Sequence, residues 1–226
     1  MEISKICAVI PAYNASKSLK KVVEDLRQYI PHLSIIVVDD GSTDSTKYIA
    51  RKLNVLCVEH NKNFGKGAAL RSGFKTALSL EAHLIITIDA DAQHNPKDIK
   101  KLLSKLKEEK LDLIIGSRMS NIVKMPFHRI CSNKITSKLI SWRLGQKIED
   151  SQCGFRVIRA DVLKKIDLKS NRFEIESELL IKSALQGFKI GSTTIETIYP
   201  KNRTSAMHLI ADTLRFIGLY IRSFFW

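Results

Sequence analysis

The sequence is poor in the features that would put a chain in an oxidising compartment or across a bilayer. It has four cysteines, Cys7, Cys57, Cys131 and Cys153, and no CxxC spacing among them. Two of them lie in apolar runs, so they read as reduced core thiols rather than a disulfide framework or a zinc site. No window reaches the ~18 uninterrupted apolar residues of a membrane span. The N-terminus enters a strand pattern directly, with no basic stretch leading into a long apolar run, so no secretory signal is expected. Glycine patterning is equally sparse. Neither GxxxxGK[ST] nor a GxGxxG after the first apolar run occurs, which disfavours a Walker-type site and an NAD site.

What is present is a foldable and basic composition. Hydrophobic residues make up 44% of the 226, enough to bury a core and to exclude disorder. The formal net charge of +14 favours anionic partners such as nucleotides, lipid phosphates or an acidic membrane face. A basic nucleic-acid-binding scaffold would explain that charge, but not the acids collected at strand ends, which would repel a phosphate backbone.

The pattern alternates short β-branched runs with helical spacing. Strands are expected at 6–10, 34–38, 55–58, 84–88 and 111–115. Helices are expected between them: one capped by Ser16 and ended by Pro31, one capped by Ser42 or Thr43 and running to about 53, one opened by the Gly65-Lys66-Gly67 turn and running to about 80, and a Lys-rich surface helix at 96–109. This β-α rhythm predicts an α/β fold, a mostly parallel Rossmann-like sheet with helices on both faces. Ligands of such sheets sit beyond the carboxyl ends of the strands. Tyr13, Asp39, Asp40, Asp89, Asp91 and Arg118 all fall there.

The most informative stretch is 83–96, HLIITIDADAQHNP. A buried strand ends in two acids one residue apart, Asp89 and Asp91, followed by Gln93. Two carboxylates and an amide oxygen suit a hard divalent cation, Mg²⁺ or Mn²⁺, which keeps positions open for water and phosphate oxygens. Lys66, with two glycines at a helix start, can face a phosphate.

After Arg118 the pattern changes. A helix is expected at 125–144 with Arg129, Ser132 and Arg143, then a turn and strand at 148–157 that brings Asp150 to the site. A helix capped by Asn171 follows at 172–186, and a strand at 190–199. The tail, 207–226, has apolar residues at helical spacing broken by Asp212, Arg215 and Arg222. It could lie in a membrane interface or pack on the domain or on a second subunit.

Taken together, Pro11-Ala12-Tyr13-Asn14, Asp39-Asp40-Gly41-Ser42 with Asp44, Asn63-x-Gly65-x-Gly67, Asp89-Ala90-Asp91-Ala92-Gln93-His94-x-Pro96, Gly116-Ser117-Arg118, Asp150-x-Gln152-Cys153-Gly154-Phe155-Arg156 and Phe173-x-x-Glu176 resemble the family 2 glycosyltransferases of GT-A fold. Within that family they resemble the dolichyl- or polyprenyl-phosphate sugar synthase branch. The resemblance implies one catalytic domain over 1–205, with a nucleotide-sugar half at 1–118 and an acceptor half at 119–205, and an amphipathic helix at 206–226. It implies an inverting, metal-dependent transfer of a sugar, mannose or glucose, from a nucleotide-diphospho-sugar (GDP- or UDP-linked) to a polyprenyl or dolichyl phosphate. Pro11, Ala12, Tyr13, Asp39, Asp40, Lys66, Asp89, Ala90 and Asp91 would hold the donor, and Asp89, Asp91 and Gln93 the metal. Arg118, Arg129, Ser132 and Arg203 would grip the acceptor phosphate, with Asp91, Arg118, Arg129 and Asp150 at the reaction centre. The location implied is cytoplasmic, peripheral on the membrane's cytoplasmic face. Ala15 departs from the family pattern, where Glu is common.

A phosphate acceptor is already anionic near neutral pH and needs cations rather than a base. A hydroxyl acceptor, on a glycan or another lipid, would need a carboxylate base, and Asp150 is the candidate. A nucleotidyltransferase would want a glycine-rich loop where Pro-Ala-Tyr-Asn stands.

Overall fold

The computed structural model describes residues 5–119, 122, 125–198 and 209–226. The strands are β1 (Ile6–Ala12), β2 (Ser34–Asp39), β3 (Leu56–Glu59), β4 (Leu84–Thr87), β5 (Leu113–Ser117), β6 (Arg156–Arg159) and β7 (Ile190–Thr194). Among them run α1 (Leu19–Tyr29), α2 (Thr46–Lys52), α3 (Lys66–Ser79), α4 (Ile99–Glu108), α5 (Phe127–Leu144), α6 (Ala160–Lys165), α7 (Ile175–Leu185) and α8 (Leu209–Arg222). The sheet order is β3-β2-β1-β4-β6-β5-β7, parallel except for β6, which runs antiparallel to both neighbours.

Consecutive residues of β1, β2 and β5 are buried, so both faces of the sheet are covered. The chain winds outward from β1 to β2 and β3, then returns to place β4 on the other side of β1. A crevice opens at the carboxyl ends of β1 and β4, where the winding reverses. The sheet runs through both halves of the chain, since β6 is inserted between β4 and β5.

Several element boundaries differ from the sequence expectation, each for a local reason. Helix α1 starts at Leu19 rather than after Ser16, and Ser18 Oγ donates to the Ala90 carbonyl at 2.6 Å. Helix α2 starts at Thr46, not after Ser42 or Thr43. Asp44 Oδ1 accepts the Thr46 N–H at 2.9 Å, while Ser42 Oγ accepts the Asn14 N–H at 2.9 Å. Asn171 does not cap α7. Its carbonyl accepts the Ala68 N–H at 3.1 Å and its side chain takes Arg71 Nη2 at 2.6 Å, so it fastens the 167–174 loop to α3. Strand β6 begins at Arg156, because 150–155 is spent as a loop at the site.

Two glycines are required by close approach. A Cβ at Gly67 would lie 2.5 Å from the Ser170 carbonyl, which crosses the start of α3. A Cβ at Gly73 would lie 2.2 Å from Val9 Cγ1, so α3 sits directly on β1.

Helix α8 docks on the domain through Phe216 and Leu219, which are buried. Tyr220 Oη donates to the Leu139 carbonyl at 3.2 Å, and Arg143 lies over the Phe224 ring at 4.8 Å while donating to the Ser223 carbonyl. Among the described residues no helix is long and apolar enough to cross a membrane.

Gly73→Ala is expected to lower stability by ~1–3 kcal/mol through overpacking, whereas Gly218→Ala, on the exposed face of α8 where a Cβ meets nothing within 4 Å, is expected to cost nothing or to stabilise slightly. Urea denaturation of the two variants checks this, and equal losses would contradict the packing of α3 on β1.

Candidate active site

The sheet's carboxyl edge builds the site in three parts. The first is where β1 and β2 end. Ala12 is buried and Tyr13 exposed beside it. Asn14 adopts a left-handed conformation (φ 51°), and its Oδ1 accepts the Thr43 N–H at 2.9 Å. With Ala15 N–H on Thr46 Oγ1 at 2.7 Å, the loops after β1 and β2 are knitted together without the Glu common at position 15. Asp39 is 2% exposed, and its Oδ1 is buried with no partner. A buried carboxylate oxygen left unsatisfied is costly, and it has the chemistry to accept an N–H of a bound base.

Asp40, expected among the donor-binding residues, turns its carboxylate to groups of the protein. Successive residues of a strand point to opposite faces, and its carboxylate turns towards α3. It accepts the N–H groups of Phe64 (3.0 Å) and Gly65 (2.7 Å) and meets His60 Nδ1 at 2.7 Å. His60 Nε2 in turn meets Ser72 Oγ at 2.9 Å. Asp40 therefore shapes the 60–65 turn that presents Lys66.

The second part follows β4. Lys66 Nζ lies 2.6 Å from Asp89 Oδ1 and 2.6 Å from Glu176 Oε1, under the Phe173 ring. The other Asp89 oxygen is 3.7 Å from His94 Nε2 and abuts Gly154, where a Cβ would stand 2.6 Å away. Burial would raise the Asp89 carboxyl, but Lys66 and His94 outweigh it and hold it well below the usual range. Burial and the neighbouring Asp89 push Asp91 up. Asp91 Oδ1 accepts the Gln93 N–H at 3.0 Å across Ala92, which is left-handed (φ 58°).

Among the described residues no three His, Cys, Asp or Glu side chains converge to hold a metal by themselves. Asp89 and Asp91 supply two carboxylates, of which Asp89 is paired with Lys66, while burial and Asp89 raise Asp91. This donor set fits Mg²⁺ or Mn²⁺, which take the rest of their coordination from an amide, water and phosphate oxygens.

The third part joins β5 to α5. Asp150 is fully buried and accepts from Arg118 N (3.0 Å), Nε (2.8 Å) and Nη2 (2.9 Å) and from Asn133 Nδ2 (2.6 Å). Burial would raise this carboxyl, but Arg118 and Asn133 bring it below the ordinary range. Both oxygens are committed, so the expectation of Asp150 as a base does not fit. It is the anchor of Arg118. Arg129 stands on the first turn of α5, and Ser132, one turn on, accepts from Gln152 at 3.3 Å. Arg203 lies outside the described residues.

Sequence reasoning noted Glu176 only within a motif and left Arg156 without a role. Arg156 is 1% exposed and donates to the carbonyls of Ser151, Cys153 and Glu176, each at 2.8 Å. It ties the Asp150 loop to the start of α7. An arginine following a buried Gly-Phe pair was the available signal, but its partners lie on two separate segments.

A parallel-sheet edge that gathers a carboxylate pair, a buried lysine and an arginine held on an acid has the make-up of an enzyme active site. The chain belongs to glycosyl transferase family 2, whose model matches residues 7–167. It is a glycosyltransferase. It is 33% identical over 216 residues to a UDP-N-acetylglucosamine–dolichyl-phosphate N-acetylglucosaminyltransferase of Methanococcus voltae, covering 86% of each chain. To a polyprenol monophosphomannose synthase of Mycolicibacterium smegmatis it is 30% identical over 194 residues, covering 80% of this chain and 73% of that one. The fold matches the glucosyl-3-phosphoglycerate synthase of Mycobacterium tuberculosis solved with Mn²⁺, UDP and phosphoglyceric acid, at a TM-score of 0.72 and 18% identity, over 98% of this chain and 78% of that one.

Asp150→Asn leaves Arg118 without its counter-ion and is expected to cost about 3–5 kcal/mol of stability at neutral pH. The depressed Asp150 contributes stability that is complete above the unfolded pKa of about 3.9 and is lost as pH falls through the lower folded value. The gap between wild type and variant in urea should therefore close in acid. A gap that stays constant to low pH would mean that Asp150 is not held as a carboxylate.

Proposed function

We propose that this glycosyltransferase moves a sugar, with inversion, from a nucleotide-diphospho-sugar to a polyprenyl or dolichyl phosphate. The observation that carries this reading is the commitment of Asp150 to Arg118. A hydroxyl acceptor would need a free base on that side, and a phosphate acceptor needs only cations. The two relatives named with dolichyl-phosphate and polyprenol products support the same acceptor class.

In this reading Asp39 receives the nucleobase at its unpartnered oxygen, and Pro11, Ala12 and Tyr13 flank it. Asp89, Asp91 and Gln93 hold a Mg²⁺ or Mn²⁺ ion, which when bound neutralises the departing diphosphate. Lys66 adds its charge on the donor side. Arg118, oriented by Asp150, and Arg129 offset the acceptor phosphate and aim one of its oxygens at the anomeric carbon. Displacement there breaks the sugar–diphosphate bond and releases the nucleoside diphosphate. Mannose and glucose remain donors to try, joined by N-acetylglucosamine because of the M. voltae relative.

A membrane-facing surface completes the proposal. Helix α5 exposes Ile135, Leu139 and Trp142 along one face, and α8, docked beside it, exposes Leu214, Ile217 and Ile221. Such a face suits a lipid headgroup boundary, where a polyprenyl phosphate presents its head. Peripheral binding at the cytoplasmic face follows from this reading.

Labelled GDP-mannose, UDP-glucose and UDP-N-acetylglucosamine, offered with polyprenyl phosphate and Mn²⁺ or Mg²⁺, test the transfer. One donor should yield a lipid product cleaved by mild acid, with Asp91→Ala slowing transfer by ~100-fold or more. Transfer to hydroxyl acceptors alone would sink the phosphate reading. Trp142→Asp with Ile217→Asp should weaken cosedimentation with anionic vesicles without moving the melting temperature. Unchanged cosedimentation would remove the membrane face.

A further inference from the structure

Lys66 is buried between two carboxylates that come from opposite sides of the crevice, Asp89 after β4 and Glu176 on α7, each 2.6 Å from its ammonium. Two carboxylates, Asp89 and Glu176, thus share this one lysine. A divalent cation that takes Asp89 must share that oxygen with the ammonium or displace it. A lysine stripped of its only counter-ion in a buried site would be strongly penalised. Glu176 removes that penalty, because Lys66 can release Asp89 and remain paired. Glu176 is itself fixed, since its backbone carbonyl is held by Arg156 at 2.8 Å and its side chain is 7% exposed.

We propose that Lys66 and Glu176 form an exchange pair for the metal site: Lys66 is the internal counter-ion of Asp89 before metal arrives, and Glu176 is the positioning residue that receives Lys66 when the divalent ion takes its place. The inference rests on the reading of Asp89 and Asp91 as metal ligands and adds how Asp89 is paired without metal. It assigns Glu176 a role that acts only through Lys66.

The test is Mn²⁺ binding followed by the loss of its free-ion electron paramagnetic resonance signal, with Mn²⁺ alone and with UDP or GDP. Lys66→Met should tighten Mn²⁺ binding without nucleotide on the order of tenfold, because a competing cation is gone. Lys66→Gln, which keeps a hydrogen-bond donor without the charge, should shift it in the same direction. Glu176→Gln should weaken binding several-fold, since Lys66 then has no second carboxylate to move to. The double variant decides between this exchange and simple long-range attraction: in the Lys66→Met background, Glu176→Gln should have no further effect. Equal weakening in both backgrounds, or no gain from either lysine variant, overturns the exchange pair. Wild type that binds Mn²⁺ neither alone nor with nucleotide, or Asp91→Ala that binds as wild type does, overturns the metal-site reading beneath it.

Discussion

The site depends on keeping acids charged and close together at the end of a buried sheet. Burial raises the Asp89 carboxyl, and Lys66 and His94 outweigh it. Gly154 allows the following loop to pass against the same carboxylate, where any side chain would collide with it. Asp91, two residues on, lacks a comparable partner and is raised by burial and by Asp89. One acid is thus satisfied by the protein, while its neighbour carries the cost of burial beside a like charge.

The other half of the crevice solves the opposite problem, holding cations in place. Arg118 is long and would sample many rotamers if it were free. Asp150 binds it through the backbone N–H and two guanidinium nitrogens, a forked arrangement that fixes direction as well as charge. Asp150 is in turn fixed by Asn133, and its loop by Ser137 and Arg156. Helix α5 therefore carries two jobs on two faces. Its buried side, Asn133, Thr136 and Ser137, locks the Asp150 loop, and its outer side exposes Ile135, Leu139 and Trp142 among Lys134 and Lys138. An acceptor with a charged head and an apolar tail would meet both.

Much of this could be read in the residues. The β-branched runs and their helical partners placed β1, β2, β3 and β4 to within a residue or two, because hydrophobic period and chain punctuation are local properties. The acids after β2 and β4 were legible for the same reason. Residues that cap or pair through space were not. Asp39 and Asp40 look alike in sequence, yet strand alternation sends one to the site and the other under a loop. Asp150 read as the candidate base only for a hydroxyl acceptor, and its four donors came together only in the fold. Glu176 was visible only within the Phe173-x-x-Glu176 motif, and nothing in its neighbourhood of the chain points to Lys66, 110 positions away.

The sequence by itself determined the α/β architecture, the strand-end position of the acids and the basic character of the chain, since each is set by the order and period of neighbouring side chains. The tertiary structure decided which acid is free and which is spoken for. That choice depends on partners brought together from β4, α3, the 150–154 loop and α7. The ionisation of a buried carboxylate follows the charges within a few ångströms of it, and those neighbours exist only once the sheet has closed around them.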